Sequence, residues 1–487
     1  MMGRHEGQKE LFSYQVDLDR RVRGDHPLRA IRSAIDFSFV RQEVASCYGY
    51  NGNESVDPEV ILKLMFLLFY DNVRSERELL RMLPERLDYL WFLGFGLDDE
   101  IPDHSVLSKA RARWGQAVFE SLFVRTVQQC VAAGLVDGSK LHLDGSLVDA
   151  HVSKDSVVRS CPELIAALKR AYAVEERKLA GSLGDPSYQP VNQTLCSATD
   201  PDAPCIRHKY GGESRPRYKH HRAVDDRCGV ITAVVTTAGD VPEPMQTLPL
   251  VAQHECNTGA VTATVVADQQ YGTVATYRQL QHREIATHMA PMRSGHTDSD
   301  LIPREQFVYD APRDEYTCPA GHTLHPRRFN ERRQATEYAT RKGVCTACPL
   351  HRQCTRAQAG RTLMRHHEHE LIERAWAQAR TPQARRDRRR RRYLMEGSFA
   401  QAANLHHFKH ARWRRLWRQQ IQDWLIAACQ NVKILVRTLG QGPVAMENPG
   451  SVQSARSRRF VSDPLRSFVS RLARIIMVAV PASFPQC

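Results

Sequence analysis

The stretch VVADQQYG, residues 265–272, decides how this chain is read. Three apolar residues, Val265, Val266 and Ala267, run into Asp268, and Tyr271-Gly272 follow. The pattern predicts a buried strand that delivers a carboxylate at its carboxyl edge, where sites in open α/β sheets gather. Working outward, KLHLDGSLVDA (residues 140–150) is a second strand, with Asp144 set in an apolar run. An ionised carboxylate is costly there unless it faces a metal or another partner. Either aspartate alone also fits a turn cap. A third stretch, MEGSFAQAANLHHFK (residues 395–409), reads as a helix carrying Glu396 behind a run of arginines. Three carboxylates on distant segments of a basic chain predict a site that holds divalent metal against a polyanion. Phosphodiester cleavage and strand transfer use that chemistry.

Composition agrees. The 487 residues suffice for two to four domains at roughly 150 residues each, and a hydrophobic content of 42% supports real cores. The net charge of +14 is concentrated in two blocks, Arg385, Arg386 and Arg388–Arg392, then Arg412–Arg418. Clustered arginine is the footprint of phosphate-backbone binding, although a basic soluble enzyme remains the plainer alternative. The first ten residues are polar, and no run reaches the roughly 18 apolar residues of a membrane span. The expectation is a cytoplasmic, nucleoid-associated protein without a membrane partner. Its 13 cysteines, odd in number and scattered, argue against a disulfide framework.

The organisation is expected to be α/β, with five parts. Residues 1–135 read as an all-α N-terminal domain. Within it, Asp57-Pro58-Glu59 and Ser75 open helices, and Pro102-Asp103-His104-Ser105 opens a third that carries Lys109, Arg111 and Arg113. Short helices ending in a basic one resemble a helix-turn-helix module, and a plain helical bundle would look the same. Residues 136–293 carry strands at 140–150, 220–224, 230–237, 261–267 and 286–290, with helices at 161–180, 245–253 and 273–281. Strands joined partly by a hairpin and partly by crossovers predict a mixed sheet flanked by helices. Residues 181–216, rich in Gly, Pro, Ser and Asp, read as an exposed linker. Residues 294–380 form a polar, Cys-containing insertion, 381–440 long helices, and 441–487 a loose tail.

At these residues a family resemblance appears. LHLDGSLVDA resembles the first-aspartate strand of bacterial insertion-sequence transposases of the DDE class, and VVADQQYGT their second-aspartate motif. RRYLMEGSFAQAANLHHFKHARWR resembles their third block, a glutamate preceded by arginine and followed by a basic helix. The resemblance spans roughly residues 25–437. It implies an RNase H-like core in which Asp144, Asp268 and Glu396 hold two magnesium ions, with manganese able to substitute. It further implies DNA partners, the terminal inverted repeats and target DNA, and a homodimer on DNA. Arg392, one turn before Glu396, matches the arginine of the block and is expected to position the scissile phosphate. Two positions depart from the pattern. Ala403 stands where close relatives often place a phosphate-contacting lysine, a charge that Lys409 and Arg412 can supply instead, and Arg389 stands where some carry tyrosine. Two other classes stay open: a metal-dependent nuclease or phosphoesterase on the same fold, and a catalytically inactive or repurposed DNA-binding protein.

Two further groups carry chemistry. Cys345-x2-Cys348, followed by Cys354 and preceded by Cys318 in TCPAGH, offers four thiolates for a tetrahedral structural zinc, with His322 able to replace one. Free thiols in an insertion are the alternative. Residues 408–424 interleave Trp413, Trp417 and Trp424 with Arg412, Arg414, Arg415 and Arg418. Tryptophans packed inward with the arginines in water is the expected reading and base stacking the alternative; with the aromatic face packed on the core, the arginines can still grip phosphate backbone.

Overall fold

The structure is a computed structural model that describes residues 16–49, 54–178, 191–207, 213–291 and 301–440. The expected tail at 441–487 and residues 181–190 and 208–212 of the expected linker lie outside them. The chain divides into two compact units, one of residues 1–262 and 390–487, the other of residues 263–389.

In the first unit, the N-terminal helices begin where local chemistry dictates. Asp57 accepts from the Glu59 N–H at 2.9 Å with Pro58 in the first turn, and Ser75 accepts from the Glu78 N–H at 3.1 Å. The helix Pro58–Tyr70 is apolar nearly all round, and Val60 through Phe69, apart from Lys63, is buried. Such a helix must sit inside a core rather than on one. It packs against Leu416–Gly440, the last described helix, which also packs on Ala117–Ala132 and on the strand Ile231–Ala238. A single hydrophobic core therefore runs from Leu28 and Phe119 through Val148 and Tyr218 to Ile421 and Leu425.

The sheet of this unit is antiparallel. Arg215–Asp225 is its middle strand, flanked by Lys140–Asp149 and Ile231–Ala238, with Cys205–Ile206 pairing at its start. The hairpin between residues 225 and 231 follows the pattern read from sequence. The expected linker, where described, is not an exposed strap. It carries the short strands Leu195–Ser197 and Cys205–Ile206, and Cys196, Asp200, Ala203 and Cys205 are buried. Its polar composition hid a hydrogen-bonding hub: Asp200 accepts from the Tyr218 hydroxyl at 2.7 Å and faces the Arg415 guanidinium at 3.5 Å.

The second unit pairs Thr264–Val266 in parallel with Ala286–Thr287 through the helix Val274–His282, capped by Thr273. This strand is shorter than its apolar run, since Val261 is exposed. A five-stranded antiparallel meander follows, Val308–Asp310, Glu315–Thr317, Thr323–Asn330, Ala335–Ala339 and Thr362–His366, each strand beside the next in sequence. Along the chain, an all-helical N-terminal region thus precedes parallel and antiparallel strands, consistent with an RNase H-like core.

Candidate active site

Asp144 sits mid-strand, paired in register with Arg222 on the neighbouring antiparallel strand, so both side chains point to the same face. That face is covered by Pro382–His406 and Leu416–Gly440. Arg222 is fully buried between them and donates to Ser398 Oγ at 2.7 Å and to Gln430 Oε1 at 3.2 Å. Its guanidinium also lies 4.3 Å from the ring centre of Phe399. Burial pulls the Arg222 pKa down to about 9, against the raising influence of Asp423 and Asp144, so it stays charged at neutral pH.

A second arginine reaches the carboxylate directly. Arg391 Nη2 lies 3.2 Å from Asp144 Oδ2, and its Nε donates to the Leu143 carbonyl at 3.0 Å. Lys409 stands one strand repeat along, donating to Ser146 Oγ at 2.6 Å. It is held there because the chain after the helix runs beside the strand: the Asp149 N–H donates to the Lys409 carbonyl at 2.9 Å, and the Ala411 N–H to the Asp149 carbonyl at 2.8 Å. Asp144 keeps 28% of its side chain open to solvent. An accessible carboxylate beside these cations suits an anion that arrives together with a metal ion.

Glu396 lies on the same helix as Arg391, is exposed, and makes no hydrogen bond or ion pair among the described residues. Asp268, at the carboxyl end of Thr264–Val266, accepts from the Gln269 N–H at 2.7 Å as the cap of a short 3-10 turn and is half-buried. Arg392 is exposed. The arginine that touches Asp144 is its neighbour Arg391, because Met395, Ser398 and Ala402 define the inward face of the helix and residue 391 lies on it.

The expected DNA-contacting residues divide sharply. Lys109 and Arg113 are exposed on Ser105–Trp114, whereas Arg111 on the same helix is buried, paired with Glu76 and stacked at 3.8 Å over Trp413. Arg415 is buried too. It pairs with Glu176 at 3.4 Å and Asp200 at 3.5 Å and lies 3.6 Å over the Tyr172 ring. Arg412 donates to the carbonyls of Val73 and Arg74, and Arg418 binds Glu176 at 3.1 Å. These four spend their charge inside the protein, which removes Arg111 and Arg415 as phosphate contacts and leaves Arg414 as the exposed member of its block. The block is not one helix either. Pro382–His406 ends, residues 407–415 run irregularly with Arg415 at φ +84°, and the next helix starts at Leu416. The tryptophans do pack inward: Trp417 and Trp424 are buried, and Trp413 meets Phe69 edge-on at 5.6 Å.

In the second unit, Cys318, Cys345, Cys348 and Cys354 line one cavity of about 30 Å³, as do His322 and His351. Sequence reasoning missed a different group, His366, His367 and Glu368, whose ligand atoms lie within 4.8 Å of one another. The HHEHE run carrying it was the available signal.

Residues 16–113 match the family model described as "Transposase domain (DUF772)", and residues 317–436 match "Transposase DDE domain". The chain has a DDE transposase domain architecture. The second match includes Arg391, Glu396, Lys409 and all four grouped cysteines; the first includes Lys109, Arg111 and Arg113. Among solved structures, the chain is similar to the piggyBac transposase synaptic complex with hairpin DNA at 9% identity, covering 94% of this chain and 87% of that one, with a TM-score of 0.31. It is similar to the Mos1 transposase paired-end complex with left transposon end at 12% identity, over 49% of this chain and 61% of that one, with a TM-score of 0.16. For the Mos1 strand transfer complex the values are 11%, 51%, 63% and 0.15. No curated protein matches. Among the described residues, no helix is long and apolar enough to cross a membrane.

Proposed function

We propose that this protein is the DNA transposase of an insertion sequence, binding the element's ends and catalysing metal-dependent cleavage and strand transfer, as a homodimer on DNA. The observation that carries the proposal is the accessible Asp144 carboxylate ringed by Arg391, Arg222 and Lys409 in a chain with transposase domain architecture.

In this reading Asp144, Asp268 and Glu396 are the ligands of two magnesium ions. Each is a carboxylate on a solvent-accessible residue, the donor type magnesium takes while keeping several waters; among the described residues their oxygens form no group within 4.8 Å of one another. When bound, such a pair activates the attacking oxygen and stabilises the leaving one. The chain's own residues do the rest. Arg391 leaves Asp144 for the incoming phosphate and neutralises charge developing on its oxygens. Lys409 holds the same strand edge and adds a backbone contact. Arg222, too buried to touch DNA, keeps Ser398 and its helix in phase over the strand. Water attacks in the first step, and the freed 3′-hydroxyl of the element attacks target DNA in the second. Of the residues expected to bind DNA, Lys109, Arg113, Arg392 and Arg414 are exposed and grip the duplex.

Incubation with DNA flanking the gene's own ends and magnesium tests this reading. Nicks at the 3′ ends and joined products are expected. Nicks without joining would favour a nuclease, and binding without either a repurposed DNA-binding protein.

A further inference from the structure

The five-stranded meander of the second unit is built around a cluster of five buried side chains, Phe307, Tyr316, Leu324, Tyr338 and Leu363. Modules below about 70–80 residues seldom stand on so small a core and add disulfides or a structural metal. No disulfide joins the cysteines here. Instead, four of them converge from three places: the turn after Glu315–Thr317, the loop after Ala335–Ala339, and the short helix His351–Cys354. Cys318 and Cys354 pack directly against the small core.

We propose that the cavity they line is a structural zinc site with Cys318, Cys345, Cys348 and Cys354 as ligands. Two of the sulfurs lie within hydrogen-bonding reach of polar groups. The His322 N–H points at Cys318 Sγ from 3.3 Å, across a tight turn in which the Cys318 N–H donates to the His322 carbonyl at 2.9 Å. The Thr340 hydroxyl lies 3.1 Å from Cys345 Sγ. Gly360, at φ +103°, passes so close that a Cβ there would meet Cys345 Sγ at 2.8 Å; only glycine allows that approach. Arg361 lines the same cavity and donates to the Cys354 carbonyl at 2.8 Å, placing a cation where four thiolates on Zn²⁺ leave a net charge of about −2.

The sulfurs surround the cavity without forming a group within 4.8 Å of one another. Rotation about one χ1 moves a cysteine sulfur by roughly 3 Å, the scale of adjustment that metal would ask of sulfurs already lining one cavity. The rival cation site, His366, His367 and Glu368, is weaker. Glu368 already forms a bidentate ion pair with Arg278, which a metal would have to displace, and His366 Nδ1 accepts from the Glu368 N–H at 3.1 Å. A closed set of four ligands leaves no position for substrate, so the metal acts as a staple. This inference is independent of the transposase reading.

The test is elemental analysis of the full chain purified without chelator, followed by exchange of the metal for cobalt. About one zinc per chain and the visible absorption of a tetrahedral thiolate site are expected. The double variant C345S/C348S should lose both, and H366A/H367A should keep both. A folded wild-type chain that takes up neither zinc nor cobalt overturns the proposal. So does a metal lost from H366A/H367A but retained in C345S/C348S. The wild-type measurements decide the matter even if the cysteine variant does not fold.

Discussion

The region around Asp144 and the meander of residues 308–366 solve the same problem, holding a basic chain together, in opposite ways. In the unit that holds Asp144, cations are taken inside: Arg222, Arg415 and Arg111 are buried among carboxylates, amides and aromatic rings that belong to a large shared core. In the meander they stay outside, with Arg327 and Arg328 more than two-thirds exposed and five apolar side chains doing the packing. The difference teaches that clustered arginine in a sequence does not by itself mean a surface for phosphate. Which arginines are free depends on whether the core has partners for them.

That contrast can be broken. Arg415→Ala should cost about 3–5 kcal/mol, because it strands the Asp200 and Glu176 carboxylates in the interior, and Arg222→Ala should cost a similar amount. Arg414→Ala, next door but exposed, should stay within about 0.5 kcal/mol. Urea midpoints measure all three. Equal effects at 414 and 415 would mean that the buried network contributes nothing.

Acid should act through the buried first unit next. His406 is buried, donates to the Phe69 carbonyl at 2.7 Å and lies 3.5 Å from Lys433 Nζ. Burial first, then the neighbouring cations, pulls its pKa down to about 4. A depressed histidine contributes stability that is present above about 6.5 and lost as pH falls towards 4. By pH 5 the loss should reach about 2 kcal/mol. Denaturation midpoints at pH 8 and pH 5, for wild type and His406→Gln, read it. An unchanged slope in the variant would reassign the acid sensitivity elsewhere.

The smallest effect belongs to the meander. Tyr338 and Tyr309 both donate to Asp314, Tyr309 at 2.7 Å. Tyr309→Phe should therefore cost about 1 kcal/mol and raise protease nicking within residues 308–366 while leaving the first unit's unfolding unchanged. Coupled loss in both units would show that the two do not melt separately.

Much of the fold was legible because it is written locally. The caps at Asp57, Ser75 and Thr273 and the hairpin at residues 225–231 are short-range signals, and the helices and strands stand where they point. Pro249 did not break its helix, which runs Thr247–Thr258, because it falls in the first turn, where its missing N–H costs nothing. What was illegible depends on phase and burial. Five consecutive arginines look alike in sequence, and only the helix's inward face, set by Met395 and Ser398, distinguishes Arg391 from Arg392. In RPRYKHHRAVD the two-residue period puts Tyr218, His220, Arg222 and Val224 on one face, yet nothing local announces that a charged residue there will be fully buried. Its partners, Ser398 and Gln430, lie 176 and 208 residues away.

We propose that Asp144, with Asp268 and Glu396, performs metal-dependent chemistry, with Arg391 acting on the phosphate and the buried Arg222 only supporting the site. The most direct test measures magnesium-dependent nicking of end DNA by wild type, D144A, D268A, E396A and R391A, with binding to the same DNA measured in parallel. The account predicts that each carboxylate variant loses nicking altogether while binding stays within a few-fold, and that R391A loses more nicking than binding. Nicking at the wild-type rate by D144A, in a chain that still binds DNA, would contradict it.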